Sequence, residues 1–191
     1  MDQLTGVTIE AIDLAAWAPQ ALDVQAVAFG LTPEEVMVRL HIVGRHAQQP
    51  GVIALGALSG GRLVGFGYGM PNRREHWWST VIQPYLEAYG YGEWLDDVFA
   101  ITELHVLPDH QGRGIGSALI RTLCERSGLR RSILSAIDAE TPARRLYRSL
   151  GYQDLARAVH FPNTERLYAV MGARLPLLEP PAPQSAPANS R

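Results

Sequence analysis

Val106-Leu107-Pro108-Asp109-His110-Gln111-Gly112-Arg113-Gly114-Ile115-Gly116-Ser117 is the stretch from which the rest of the chain can be organised. An apolar strand-like run ends at Val106. A short loop turns, and three alternate glycines lead into a helix over Gly114 to Arg126. Within it Ile115, Ala118, Leu119 and Leu123 recur at helical spacing, and Gly128 stands just past the end. Backbone N–H groups at such a turn converge on one point and can hold a diphosphate without any lysine. Glycine admits the close approach that a Cβ would block. Arg113 adds charge and Ser117 a hydroxyl. Two other readings stand beside this one. The first is a glycine-rich connection with no ligand. The second is a dinucleotide fingerprint, because Gly112 to Ser117 nearly fits G-x-G-x-x-G/A and Asp138 ends the next strand. Against the latter, five residues including Pro108 separate Val106 from Gly112, the last position is Ser, and no second half follows.

Working outward, Ser132 to Ile137 reads as a strand. Thr141-Pro142 opens a short helix with Ala143, Leu146, Tyr147 and Leu150 on one face and Gly151 past its end. Strands at about Tyr152 to His160 and Arg166 to Gly172 follow. Upstream, Val98 to Val106 is a strand, and Val52 to Leu58 with Arg62 to Tyr68 form a hairpin around Ser59-Gly60-Gly61. Val7 to Ile12 is a strand and Ala15 to Phe29 a helix. Thr32-Pro33-Glu34-Glu35 starts another helix, which runs to about Gln48. Between hairpin and strand, residues 71–97 have no clean period and hold Trp77, Trp78, Trp94, Tyr85, Tyr89 and Tyr91. They read as an aromatic-rich insertion, helical near Thr80 to Tyr89.

Two signatures now coincide. Gln111-x-x-Gly114-x-Gly116, after a strand ending Val106-x-Pro108, resembles the coenzyme A signature of the GNAT N-acetyltransferases. Ala143-x-x-x-Tyr147-x-x-x-Gly151-Tyr152 resembles that family's downstream helix. Together they span about Val98 to Leu155. One departure is Glu140, where many members carry Asn three residues before that Ala. The resemblance implies an α/β fold of the α+β type: a mixed central sheet of about six to seven strands flanked by about four helices, with its central parallel strands splayed apart. It implies acetyl-CoA as co-substrate, with its pantetheine arm along the backbone of Leu104, His105 and Val106. The diphosphate would then lie on Gln111, Gly112, Arg113, Gly114, Ile115, Gly116 and Ser117.

Acetyl transfer from a thioester to an amine requires a base, an oxyanion donor and an acid for the leaving thiolate. The resemblance makes Tyr147, which also contacts the cofactor, the acid. A free strand N–H near Leu104 is the oxyanion donor. Glu103 and His105 share the strand face opposite Leu104 and Val106 and are the candidate bases, Glu103 directly or through water and His105 through its imidazole. A core Tyr and two satisfied polar side chains would give the same pattern. The aromatic insertion, interleaved with carboxylates, reads either as a wall or lid for a cationic or aromatic amine or as a satellite cluster or dimer contact.

The 191 residues suit one domain, expected over 1–175, with a disordered Pro-rich tail at 176–191 that carries five of the thirteen prolines. The net charge of −2 offers no basic field for nucleic acid. All seventeen basic side chains are Arg, which excludes lysine Schiff-base chemistry. The single cysteine, Cys124, allows no internal disulfide and reads as a buried small residue. No histidine spacing suggests a metal, and no apolar run reaches a membrane span's length, so the expected compartment is the cytoplasm. The expected acceptor is the primary amine of a small molecule. The competing functions are acetylation of protein amines and a non-catalytic acetyl-CoA sensor. A homodimer is open.

Overall fold

The computed structural model describes Leu4, residues 6–162 and residues 164–179. Among the described residues, seven strands form one mixed sheet: β1 (Thr8–Ala11), β2 (Ile53–Ser59), β3 (Arg62–Pro71), β4 (Phe99–Val106), β5 (Arg131–Ile137), β6 (Gln153–His160) and β7 (Leu167–Arg174). Their spatial order is β1-β2-β3-β4-β5-β7-β6. Five α-helices among the described residues flank it: α1 (Leu14–Phe29), α2 (Pro33–His46), α3 (Trp77–Ala88), α4 (Ile115–Ser127) and α5 (Pro142–Ser149). The fifth helix, beyond the four or so expected, is α3. It begins three residues earlier than the sequence pattern suggested.

The helix ends are set by local chemistry. Asp13 accepts from the amides of Ala15 and Ala16 at the start of α1. Thr32 and Glu35 form a reciprocal capping box on α2. Gly128 closes α4 in the left-handed conformation at φ 67°.

The helices divide between the two faces. On one, Leu119, Ile120 and Leu123 of α4 and Leu150 next to α5 pack against Leu55, Val64, Phe99, Ile101, Leu134 and Met171. Each such fully buried side chain stabilises the fold by roughly 1.5–3 kcal/mol relative to exposure. On the other face α1 and α2 cover Phe66, Tyr68 and Met70 of β3. Beside them α3 covers the β5–β7–β6 half, with Ile82 and Leu86 on Ile133, Leu155, Val159 and Val170. Much of the apolar content of 71–97 is thus core. Cys124 is buried against the hydroxyl of Tyr152.

Within Pro176 to Glu179, expected as the start of a disordered tail, Leu177 is buried and Leu178, itself exposed, donates its amide to Leu150 and accepts from Arg121. The remainder of that tail, 180–191, lies outside the described residues. No helix among the described residues is long and apolar enough to cross a membrane.

Two irregularities shape the centre of the sheet. β4 and β5 pair in parallel only at Phe99↔Ser132 and Ala100↔Ile133. From Ile101 onward β4 has no strand partner on that edge among the described residues, so a gap opens. The second irregularity is a bulge. Tyr68 faces Glu103 while Gly69 faces Ile101, which leaves Thr102 as an extra residue in β4. Strict alternation would put Glu103 and His105 on the α4 face with Phe99 and Ile101. The extra residue turns them to the α1–α2 face.

Candidate active site

The bulge decides what each side of β4 presents. Leu107 N–H donates to Val64 across the β3 edge. Alternate residues of an antiparallel strand turn the same way, so the backbones of His105 and Glu103 are engaged by β3. The N–H and C=O of Leu104 and Val106 therefore point into the gap. The backbone of His105, expected along the pantetheine arm, is committed to its partner Phe66; what His105 offers is its side chain, on the opposite face.

At the end of β4, Pro108–His110 makes a single 3-10 turn. Gly112 and Gly114 follow at φ 72° and 80°, backbone angles that favour glycine. Gly114 caps α4 with no side-chain bond. None of the six amides from Gly112 to Ser117 has an acceptor among the described residues, the arrangement a diphosphate would satisfy. Ile115 contributes only its amide, because its side chain is buried in the core. The Gln111 side chain turns back, Nε2 donating to the Val106 carbonyl at 2.9 Å. Ser117 Oγ accepts from Arg121 Nε at 3.4 Å. A Cβ at Gly116 would stand 3.3 Å from Leu146, which explains the close approach of α4 to α5. Gly114→Ala places an alanine at φ 80° and is expected to cost about 1–2 kcal/mol of stability. It should also weaken acetyl-CoA binding, read by parallel melting and calorimetry.

On the α1–α2 face, Glu103 accepts three hydrogen bonds. Arg39 Nη1 donates to Oε1 at 3.1 Å. Gln25 Nε2 and His105 Nε2 donate to Oε2 at 3.0 and 2.7 Å. Burial pushes this carboxyl up. The His105 bond and charge, then Arg39 and Gln25, outweigh that, and the net shift is below the ordinary value. A carboxylate so held is a weak base. The His105 ring packs against Phe29 and Phe66, at centroid distances of 5.9 and 5.6 Å.

Tyr147 lies across the gap, 8% exposed on the α4–α5 side. Burial, then the charge of Glu103, push its phenol up to about 12. Its helix is anchored by Arg144, fully buried between Asp138 and Asp154. Glu140 points away, paired with Arg148 at 2.7 Å on the surface. At the mouth of the gap Trp78 Nε1 donates to Ser135 Oγ at 3.3 Å. Trp77, 61% exposed, leans on Phe161.

The site therefore brings Glu103 and His105 to one side of β4, Tyr147 to the other, and the unpaired Leu104 and Val106 amides between them. Sequence reasoning missed Gln25, Arg39, Arg144 and the Thr102 bulge. Gln25 alone left a signal, a polar residue among Ala21, Leu22 and Val24 in the buried stripe of α1.

Residues 22–152 match the family model described as the acetyltransferase (GNAT) family. The chain belongs to this GNAT family. A GCN5-like protein acetyltransferase of Mycobacterium tuberculosis is 35% identical over 128 residues, 63% of this chain and 62% of that relative. The chain thus aligns with about three-fifths of the relative's length. Among solved structures, a GNAT-family acetyltransferase described as putative, from Desulfovibrio desulfuricans, superposes with TM-score 0.66 at 18% identity. It covers 88% of this chain and 98% of its own. The ribosomal-protein-S18-alanine N-acetyltransferase of Escherichia coli gives 0.63 at 17%, over 94% and 98%. These structural likenesses establish the GNAT fold.

Proposed function

We propose that the protein is an acetyl-CoA-dependent N-acetyltransferase that acts on a primary amine. The observation that carries this reading is the pairing of an unpaired β4 edge with a Glu103–His105 pair on one side of it and a buried phenol on the other. When bound, acetyl-CoA supplies the acetyl group as a thioester. The Gly112 to Ser117 amides hold its diphosphate, and the Leu104 and Val106 backbone holds its extended arm as an added strand would. A gap-facing amide of β4 stabilises the charge that develops on the carbonyl oxygen. His105, with Nε2 donating to Glu103, takes the ammonium proton at Nδ1. Tyr147 gives its phenolic proton to the departing sulfur, and the proton that the acylated nitrogen then sheds restores the phenol. Glu103 orients the imidazole and is not itself the base.

Calorimetric titration with acetyl-CoA, coenzyme A and NAD tests the first half. Micromolar binding of acetyl-CoA and coenzyme A and none of NAD is expected; no binding of either of the first two overturns the reading. A thiol-release screen over amines tests the second half. A small-molecule amine is the primary expectation. The 35% identity to a mycobacterial protein acetyltransferase favours a second reading, a protein amine, so the screen includes lysine-bearing and free N-terminal peptides.

The N-terminal end of α3 forms one wall of the acceptor entrance in this reading. Removing the whole segment would uncover Ile133, Leu155 and Val170, so the informative change is at exposed Trp77. Trp77→Ala is expected to raise the acceptor KM roughly 5–10-fold, as the loss of one aromatic contact of about 1 kcal/mol would. The KM for acetyl-CoA and the melting temperature should not move.

A further inference from the structure

We propose that Gln25 and Arg39 are positioning residues for the acceptor-side base: acting through Glu103, they hold the His105 imidazole with Nε2 as donor and Nδ1 as the bare, proton-accepting nitrogen. The geometry stands by itself, while its consequence for rate rests on the acetyltransfer reading above.

The two residues come from different helices and grip one carboxylate at both oxygens, Arg39 of α2 at Oε1 and Gln25 of α1 at Oε2. The 2.7 Å contact from His105 shares Oε2 with Gln25. An ionised carboxylate only accepts, so the ring nitrogen that faces it carries the proton, and the tautomer follows. Gln25 is 1% exposed and its Oε1 is buried with no partner among the described residues. A leucine would fill that place without a stranded oxygen. What glutamine adds there is one N–H on Glu103.

The surrounding charges agree with this role. From α2, His46 is driven toward its neutral form, chiefly by burial. From β3 and α5, burial and Glu103 itself keep the phenols of Tyr68 and Tyr147 protonated. Arg166, from the β6–β7 connection, lies over the Phe29 ring at 5.2 Å, and that ring edges onto His105. Arg39 is the arginine that touches Glu103, at 3.1 Å from Oε1. Without it the carboxyl rises toward its ordinary value and loses the donor that fixes Oε1, so the orientation of His105 relaxes and fails at a higher pH.

The test uses full-length protein labelled with 15N-histidine. Long-range 15N–1H spectra of wild type, Arg39→Met and Gln25→Leu are recorded near pH 8, with the His105 signal assigned from His105→Asn. Wild type is expected to show the Nε2–H form alone, and the two variants a mixture of tautomers. With an acceptor in hand, Arg39→Met should lower kcat roughly 10-fold and move the acid limb of the pH profile upward. The KM for acetyl-CoA should hold, and Arg39→Lys should restore most of the loss. Should Gln25→Leu melt early, Gln25→Met and Arg39→Met decide the matter. A natively melting variant whose His105 remains wholly Nε2–H overturns the proposal, as does a pH-independent rate loss that Arg39→Lys leaves unrelieved. The spectra need no substrate, so a protein that acetylates nothing yet shows the tautomer change would refute the function and leave the positioning intact.

Discussion

Tyr147→Phe is expected to lower kcat by about 10²–10⁴-fold, the range for loss of a positioned acid, while acetyl-CoA affinity stays within roughly twofold. The phenyl ring is retained, so its packing 5.8 Å from the Tyr152 ring survives and the melting temperature should hold. The hydroxyl is all that is lost. With its phenol pushed up to about 12, chiefly by burial and then by Glu103, Tyr147 is protonated throughout the working range. In the resting enzyme it can therefore serve as an acid and not as a base. An alkaline limb that belongs to Tyr147 would therefore lie near pH 12, and any break at lower pH arises from another group. Calorimetry and initial rates on the same preparation check the split. Unchanged kcat would return Tyr147 to the role of a core side chain. Full acetyl-CoA binding in a protein that turns over no amine, with Tyr147→Phe indifferent, would favour the sensor reading.

The elements of this fold were legible where one local signal fixed them. Thr32-Pro33 with Glu35 marked the start of α2, and Gly128 marked the end of α4. The gap between β4 and β5 could be inferred from the likeness of Gln111 to Gly116 and Tyr147 to a known family, not from any strand's own pattern. The Thr102 bulge left no trace. Phe99, Ile101, Glu103 and His105 read as one face of a regular strand, and only the register against β3 reveals that the last two are turned over. The segment 71–97 defeated periodicity for a different reason. Its aromatic residues split between a buried set, Trp94 with Ile82 and Leu86, and an exposed one, Trp77 and Tyr89. Arg39 is a surface-type residue on an amphipathic helix, and nothing in α2 announces a carboxylate sixty-four positions away. Arg144 was hidden in the same way, because its buried neighbourhood comes from β5 and β6.

Arg144→Met is expected to destabilise the protein by about 3 kcal/mol, the lower end of the range for breaking a buried ion pair. For a chain of this size that corresponds to a fall in Tm of roughly 6–12 °C. Arg144 Nη1 donates to Asp138 Oδ1 at 2.9 Å, and Nη2 donates to both oxygens of Asp154 at 2.6 Å. The two carboxylates belong to the end of β5 and to β6, so one guanidinium ties three elements together. The lower end of the range applies because neither acid is abandoned. Asp138 keeps Arg157 and the Ala158 amide, and Asp154 is 26% exposed with Arg148 3.8 Å away. Burial pushes the Asp138 carboxyl up, but Arg157, the Ala158 amide and Arg144 together hold it below the ordinary value. Its contribution to stability is therefore complete above the usual carboxylate range and is lost as the pH falls through the lowered value. Chemical denaturation at pH 7 and pH 3 should show a smaller acid-dependent loss in the variant than in wild type. Arg148→Met, which removes a surface partner of Glu140, should leave Tm in place. Because α5 carries Tyr147 one turn beyond Arg144, Arg144→Met should also lower kcat at temperatures well below its own melting transition. A variant that melts early yet turns over at the wild-type rate in the cold would confine Arg144 to stability and detach it from the placement of the phenol.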